Sequence, residues 1–152
     1  MKTTYLKVII IGIVLIWFVG CKPDNKPMII NQLVDSVYQL NVKNQDVDFE
    51  MHLPDKNLTT VADKNQLRRV MNNVVSNAIQ AIPEDRRGKI GISLYENETK
   101  AIIKVSDNGK GITEDMQAKV FQPHFTTRSS GMGLGLAMCK DIVELANGTL
   151  SF

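Results

Sequence analysis

The run Ala101-Ile102-Ile103-Lys104-Val105-Ser106 and the word that ends it, Asp107-Asn108-Gly109-Lys110-Gly111, constrain this chain more than any other stretch. Side chains of a strand alternate between faces, so Ala101, Ile103 and Val105 share one face and Asp107 falls on it at the strand's end. A carboxylate aimed at an apolar interior is costly unless something donates hydrogen bonds to it. Its immediate neighbours, Ser106 and Asn108, are uncharged, and a ligand amine would be a suitable donor. Gly109 and Gly111 permit backbone angles closed to other residues and close approach of a flat group.

A second glycine word, Gly131-Met132-Gly133-Leu134-Gly135-Leu136, opens a helical pattern that runs to Ala146. A helix start preceded by glycines presents unpaired N–H groups and partial positive charge, which suits phosphate. The first word would then hold a base and the second a polyphosphate. Each word alone also reads as an ordinary turn.

Composition narrows the classes. The 152 residues suffice for one domain with a real core, and 43% hydrophobic with 22% charged residues is ordinary for a globular chain. A formal net charge of +2 gives no electrostatic case for nucleic acid. Two cysteines, Cys21 and Cys139, make neither a disulfide framework nor a metal cluster, and Cys139 falls on a helical pattern as a small core residue.

Residues 1–21 read as a hydrophobic N-terminal helix, a membrane anchor or signal-like segment. Lys2 and Lys7 precede an uncharged run from Val8 to Cys21, and residues 5–20 form the membrane contact. Phe18-Val19-Gly20-Cys21 imperfectly resembles a lipoprotein attachment site, which keeps an exported lipoprotein as the alternative to an inner-membrane protein with a cytoplasmic domain. Residues 22–27 form a linker, and residues 28–152 form the domain. Within it, helical spacing begins near Pro27, which stands where a helix can start. Val47 to Leu53, Leu58 to Ala62 and Lys89 to Glu96 predict strands, with His52 on a wet face. Asp63 caps a helix whose apolar stripe runs from Leu67 to Ile82, and Pro83 ends it. Asn73 and Asn77 stack four residues apart at the edge of that stripe. They read either as exposed polar residues beside a core face or as two amide oxygens bordering a cleft. Thr113 caps a short helix to Val120, Phe121 to Ser130 forms a lid-like loop, and Gly148 caps the last helix.

Four boxes thus occur in order: an Asn-x-x-x-Asn helix, a strand ending Asp-x-Gly-x-Gly, a Phe-x-Pro lid and a Gly-x-Gly-x-Gly helix start. Together they resemble the catalytic, ATP-binding domain of sensor histidine kinases, within the gyrase, Hsp90, histidine kinase and MutL superfamily, across residues 29–152. Asn77-Ala78-Ile79-Gln80-Ala81-Ile82-Pro83 and Phe125-Thr126-Thr127-Arg128 look like the nitrogen-regulation type.

The resemblance implies an α/β two-layer sandwich, the Bergerat ATP-binding fold, with a mixed sheet covered on one face by helices. It implies ATP and Mg²⁺ as cofactors. Asp107 would accept from the adenine amino group, and Asn77 would place its amide oxygen on Mg²⁺, a cation that prefers hard oxygen ligands. Asn73 would orient the same region. Gly109, Gly111 and Ile112 would line the base side, while Thr127, Arg128, Gly131, Gly133, Leu134 and Gly135 would serve the lid and the phosphates. Superfamily members that hydrolyse ATP generally carry a glutamate where Asn73 stands. An amide cannot accept a proton usefully near neutral pH, so transfer is favoured over hydrolysis.

Departures qualify the resemblance. The two histidines, His52 and His124, sit in a strand and in the lid, and neither resembles a phosphoacceptor. The chain ends where the family usually adds another strand, leaving a sheet edge incomplete. The expected activity is therefore phosphorylation of a histidine only in trans. Its partner would be a phosphoacceptor helical hairpin of another chain or of an intact kinase, and a response regulator would be reached indirectly. The alternative is a non-catalytic ATP-binding regulatory module or a truncated gene product.

Overall fold

The computed structural model describes residues 5–9, 27–44, 46–97, 100–125 and 133–152, the first five by backbone alone. Eleven elements follow in chain order: β1 Tyr5–Ile9, β2 Pro27–Ile29, α1 Ile30–Asn41, β3 Val47–His52, β4 Thr59–Val61, α2 Lys64–Ala81, β5 Gly88–Asn97, β6 Lys100–Asp107, α3 Glu114–Gln117, α4 Gly135–Leu145 and β7 Thr149–Ser151. A mixed sheet of order β3-β5-β6-β1-β7 forms one layer, and β2 pairs with β4 apart from it.

Alternation places the core on one side of the sheet. Ile90, Ile92 and Leu94 of β5 and Ala101, Ile103 and Val105 of β6 are buried, in one cluster with Leu33, Val34 and Val37 of α1 and Leu67, Val70, Met71, Val74, Val75 and Ala78 of α2. Cys139 and Val143 bring α4 to the same cluster. Full burial of each large aliphatic chain stabilises the fold by roughly 1.5–3 kcal/mol relative to exposure. The expected α/β two-layer architecture, helices on one face of a mixed sheet, is what forms.

Asp63 caps α2 as expected, its Oδ1 accepting from the Asn65 and Gln66 amides at 2.8 and 3.0 Å. Local expectations fail where tertiary partners intervene. Pro27 does not begin a helix: residues 27–29 pair antiparallel with residues 59–61, and α1 starts at Ile30. Asn31 secures that start, donating to the Lys56 carbonyl at 3.2 Å and accepting from the Leu58 amide at 2.8 Å. The helix after Thr113 is shorter than expected, and the threonine side chain makes no cap bond. Gly148 is not the left-handed residue that ends α4. Asn147 takes φ 55°, with its amide bonded to Glu144 O at 2.9 Å and the Gly148 amide to Val143 O at 2.7 Å. Asparagine tolerates that region and glycine donates the longer-range bond, a Schellman ending.

The expected hydrophobic helix over residues 5–20 is corrected at its start. Tyr5–Ile9 is a strand, parallel to β6 and to β7, with Val8 opposite Ile103 and Leu150. Val8 and Ile9 are β-branched, and a ladder on both sides satisfies their main chain without a helix. The remainder of that run lies outside the described residues. Among the described residues no helix is long and apolar enough to cross a membrane.

Candidate nucleotide site

The site is built on α2. Its buried stripe points at the sheet, which leaves Asn73 and Asn77 half-buried on the flank, between exposed Asn72 and Ser76 on one side and buried Val74 and Ala78 on the other. Asn73 Nδ2 donates to the Arg69 carbonyl one turn back, at 3.1 Å. Its Oδ1 lies 2.9 Å from where a side chain on Gly135 would begin. A residue with a Cβ at the start of α4 would therefore push the Asn73 amide aside. That contact brings the asparagine helix and the glycine word together, as the sequence reading requires.

At its C-terminal end α2 meets the Asp107 loop. The Lys110 amide donates to Ala81 O at 3.0 Å, and a Cβ on Gly109 would stand 2.6 Å from that same oxygen. Gly109 is glycine because the loop presses against the end of the helix. Asn77 lies one turn before Ala81, so both asparagines occupy the flank between the two glycine words. From Asn73 to Ala81 is about 12 Å along the helix axis at 1.5 Å per residue.

Asp107 ends β6 on the core side, half-buried, with Oδ1 accepting from the Gly109 amide at 2.8 Å. Burial pushes its carboxyl above the usual carboxylate range, opposed by that one amide. Among the described residues no cation pairs with it. The second oxygen is thus a desolvated acceptor at a strand tip, the position inferred for binding an amine.

Gly111 takes φ +71° with open space where a side chain would begin, and Ile112 follows half-buried. At the other edge of the lid, Gly133 has φ +66° and its Cβ position lies 2.5 Å from the His124 carbonyl carbon. His124 itself has φ 64°, which L residues rarely adopt. The two ends of the lid are therefore pinched together at this pair. Phe121 stacks on Phe152 with ring centroids 5.5 Å apart, and Lys140 Nζ lies 5.9 Å from the Phe121 ring centre, which ties the lid's entry to β7 and α4. Leu134 precedes α4 as its N-cap residue, is 40% exposed and offers the first turn no side-chain cap bond. Thr127, Arg128 and Gly131 lie outside the described residues. His52 is exposed on β3 and His124 is in the lid's base, so neither occupies a helix.

A cleft of about 410 Å³ also touches Asp107 and Asn108, but it runs over Asp48, Glu50 and Gly91 on the uncovered side of the sheet. Neither α2 nor α4 lines it, so it is separate from the flank of α2 that carries Asn73 and Asn77. Sequence reasoning missed Asn31, Asn108 and the Phe121–Phe152 stack. The last joins residues far apart in the chain and leaves no local signal, whereas the turn reading of Asp-Asn-Gly marked the position of Asn108 but not the bonds of its side chain.

Comparison with known proteins identifies the family and the fold. Residues 62–152 match the family described as histidine kinase-, DNA gyrase B-, and HSP90-like ATPase. Sporulation kinase D of Bacillus subtilis is 37% identical over 123 residues, covering 80% of this chain and 24% of the relative. The histidine-protein kinase AtoS of Escherichia coli is 39% identical over 105 residues, 68% of this chain and 17% of AtoS. The chain thus spans about a quarter or less of the curated relatives it matches. The catalytic domain of histidine kinase ThkA superposes with a TM-score of 0.72 at 31% identity, covering 84% of this chain and 91% of that one. Family match and fold agree: this chain belongs to the histidine kinase-, DNA gyrase B- and HSP90-like ATPases, as an ATP-binding catalytic domain of the two-component sensor kinase type.

Proposed function

We propose that the domain binds ATP with Mg²⁺ and donates the γ-phosphoryl group to a histidine on a helical hairpin, supplied in trans or by a longer chain. The observation that carries this reading is that the Asp107 loop sits against the C-terminal end of α2 while the Asn73–Asn77 flank occupies the two turns before that end, with the start of α4 against Asn73. Asp107 would take the adenine amine. Asn77, a hard oxygen donor, is suited to Mg²⁺, whose remaining ligands would be phosphate oxygens and water. Bound Mg²⁺ would neutralise charge on the phosphates. Asn73 cannot serve as a general base, which suits a donor that positions ATP for an acceptor nucleophile over one that activates water.

The acceptor and its regulator belong to the same proposal. Histidine kinase ThkA has been solved in complex with a response regulator protein, and it is 28% identical to this chain with a TM-score of 0.66. A phosphorelay from this domain to a receiver domain through the hairpin is the corresponding expectation here. The flanking residues 77–83 and 125–128 favour the nitrogen-regulation type. ATP places the domain on the cytoplasmic side of a bacterial inner membrane. Membrane attachment through residues 5–20 requires β1 to leave the sheet, since residues 10–20 as a helix reach about 17 Å against a hydrocarbon core of about 30 Å.

Incubation of the full chain with radiolabelled ATP, Mg²⁺ and a separately expressed hairpin bearing the acceptor histidine tests the proposal. Label on the hairpin that disappears with Asn77→Ala is expected. Nucleotide binding with no label on any acceptor hairpin would contradict the transfer step and favour a regulatory module.

A further inference from the structure

Asn108 follows the Asp107 carboxylate, and it bonds to the start of the neighbouring strand β5 and the residue just before it. Its main-chain amide donates to Lys89 O at 3.2 Å. Its side-chain oxygen accepts from the Lys89 amide at 2.8 Å, and its side-chain nitrogen donates to Arg87 O at 3.1 Å. The β5–β6 ladder ends one residue earlier, with Ile90 opposite Asp107. Beyond that pair the Asn108 side chain does what a main-chain carbonyl does in a continuing ladder. The main chain is thereby released into the glycine loop directly after the carboxylate.

The clamped end of β5 is itself held. Arg87 bonds Asp48 of β3 through Nε at 2.9 Å and Nη2 at 2.7 Å, and the Gly88 amide donates to Asp46 O at 3.0 Å. On its other side the loop is fixed to α2 by the Lys110 amide on Ala81 O. Asp107 therefore sits between two anchors, one on β5 through Asn108 and one on α2 through Lys110. Removing the first leaves the Lys89 amide without its partner and lets the strand tip pivot on the second.

We propose that Asn108 is a positioning residue for nucleotide binding: by clamping Arg87 and Lys89 it sets the depth at which the Asp107 carboxylate meets the base. The proposal rests on the nucleotide reading of the site, and it adds a residue that acts through Asp107 without touching the ligand.

A double-mutant cycle on the full chain tests it, read by calorimetric titration with a non-hydrolysable ATP analogue and Mg²⁺. Asn108→Ala weakens binding on the order of tenfold, while Asn108→Asp, which keeps the acceptor oxygen for Lys89, loses less. In the Asp107→Asn background the effect of Asn108→Ala shrinks to about twofold or less, because the group it positions is gone. An equal loss in both backgrounds, or no loss in either, overturns the proposal. A purely structural role would lower the melting temperature and leave the coupling at zero. If the parent chain binds no nucleotide, the nucleotide reading fails by itself. The positioning claim is then read from carbon-detected titration of the Asp107 carboxyl in the ligand-free protein, whose midpoint Asn108→Ala shifts; an unmoved midpoint overturns it.

Discussion

At the residue scale, Asp107 shows how a group proposed to bind the base weakens the fold that carries it. Burial raises its carboxyl pKa, so the folded chain holds a proton that the unfolded chain releases. The contribution of this group to stability is therefore greatest below the ordinary carboxylate range and is lost as pH rises through the raised folded value. Binding an amine has the opposite demand, because only the ionised form is the stronger acceptor. Asp107→Asn keeps an oxygen for the Gly109 amide and removes the charge. It is expected to raise the melting temperature at neutral pH while weakening nucleotide binding at least tenfold, and scanning calorimetry beside a binding titration reads both. A lower melting temperature in that variant would show that the carboxylate stabilises the fold. Gly109→Ala should destabilise the chain and weaken binding together, since its methyl would press on the Ala81 carbonyl.

At the scale of elements, what the sequence made legible was what depends on local periodicity. The stripe of α2, the Asp63 cap and the alternation of β5 and β6 follow from residues adjacent in the chain, and they put Asp107 at the end of its strand and Asn73 and Asn77 on the flank of their helix, as the structure has them. Pro27 and Tyr5–Ile9 were not legible, because their conformation is decided by partner strands far away in sequence. The same apolar run that fits a helix in lipid also fits a strand between β6 and β7, and only the ladder decides. The lid could be placed from its glycines, but its pinched base needed the pairing of His124 with Gly133. Asp63→Ala removes both side-chain bonds to the first turn of α2 and is expected to cost about 1 kcal/mol in urea unfolding. Because α2 carries the site, the loss appears in stability first, with affinity of the folded fraction unchanged.

At the scale of the whole molecule, one face of a mixed sheet holds three helices, and the Asp107 loop and the start of α4 both meet α2 near Asn73 and Asn77, where nucleotide binding is proposed. Cys139 lies at the back of this arrangement, fully buried, its thiol pushed up to about 12 by burial. It should resist alkylation in the folded chain and react when urea opens it, so mass-mapped labelling at Cys139 reports global unfolding. β1 enters the sheet between β6 and β7, and Val8→Pro removes a main-chain donor from a strand paired on both sides. That variant should unfold at lower urea, and an unchanged midpoint would mean that β1 contributes nothing to stability. The central claim is that a strand-tip carboxylate and a helix flank of amides form one ATP site. Calorimetric titration of the full chain with a non-hydrolysable ATP analogue, with and without Mg²⁺, tests it most directly. The account predicts Mg²⁺-dependent binding that Asp107→Asn weakens at least tenfold and whose metal dependence Asn77→Ala removes; equal affinity in all three proteins would contradict it.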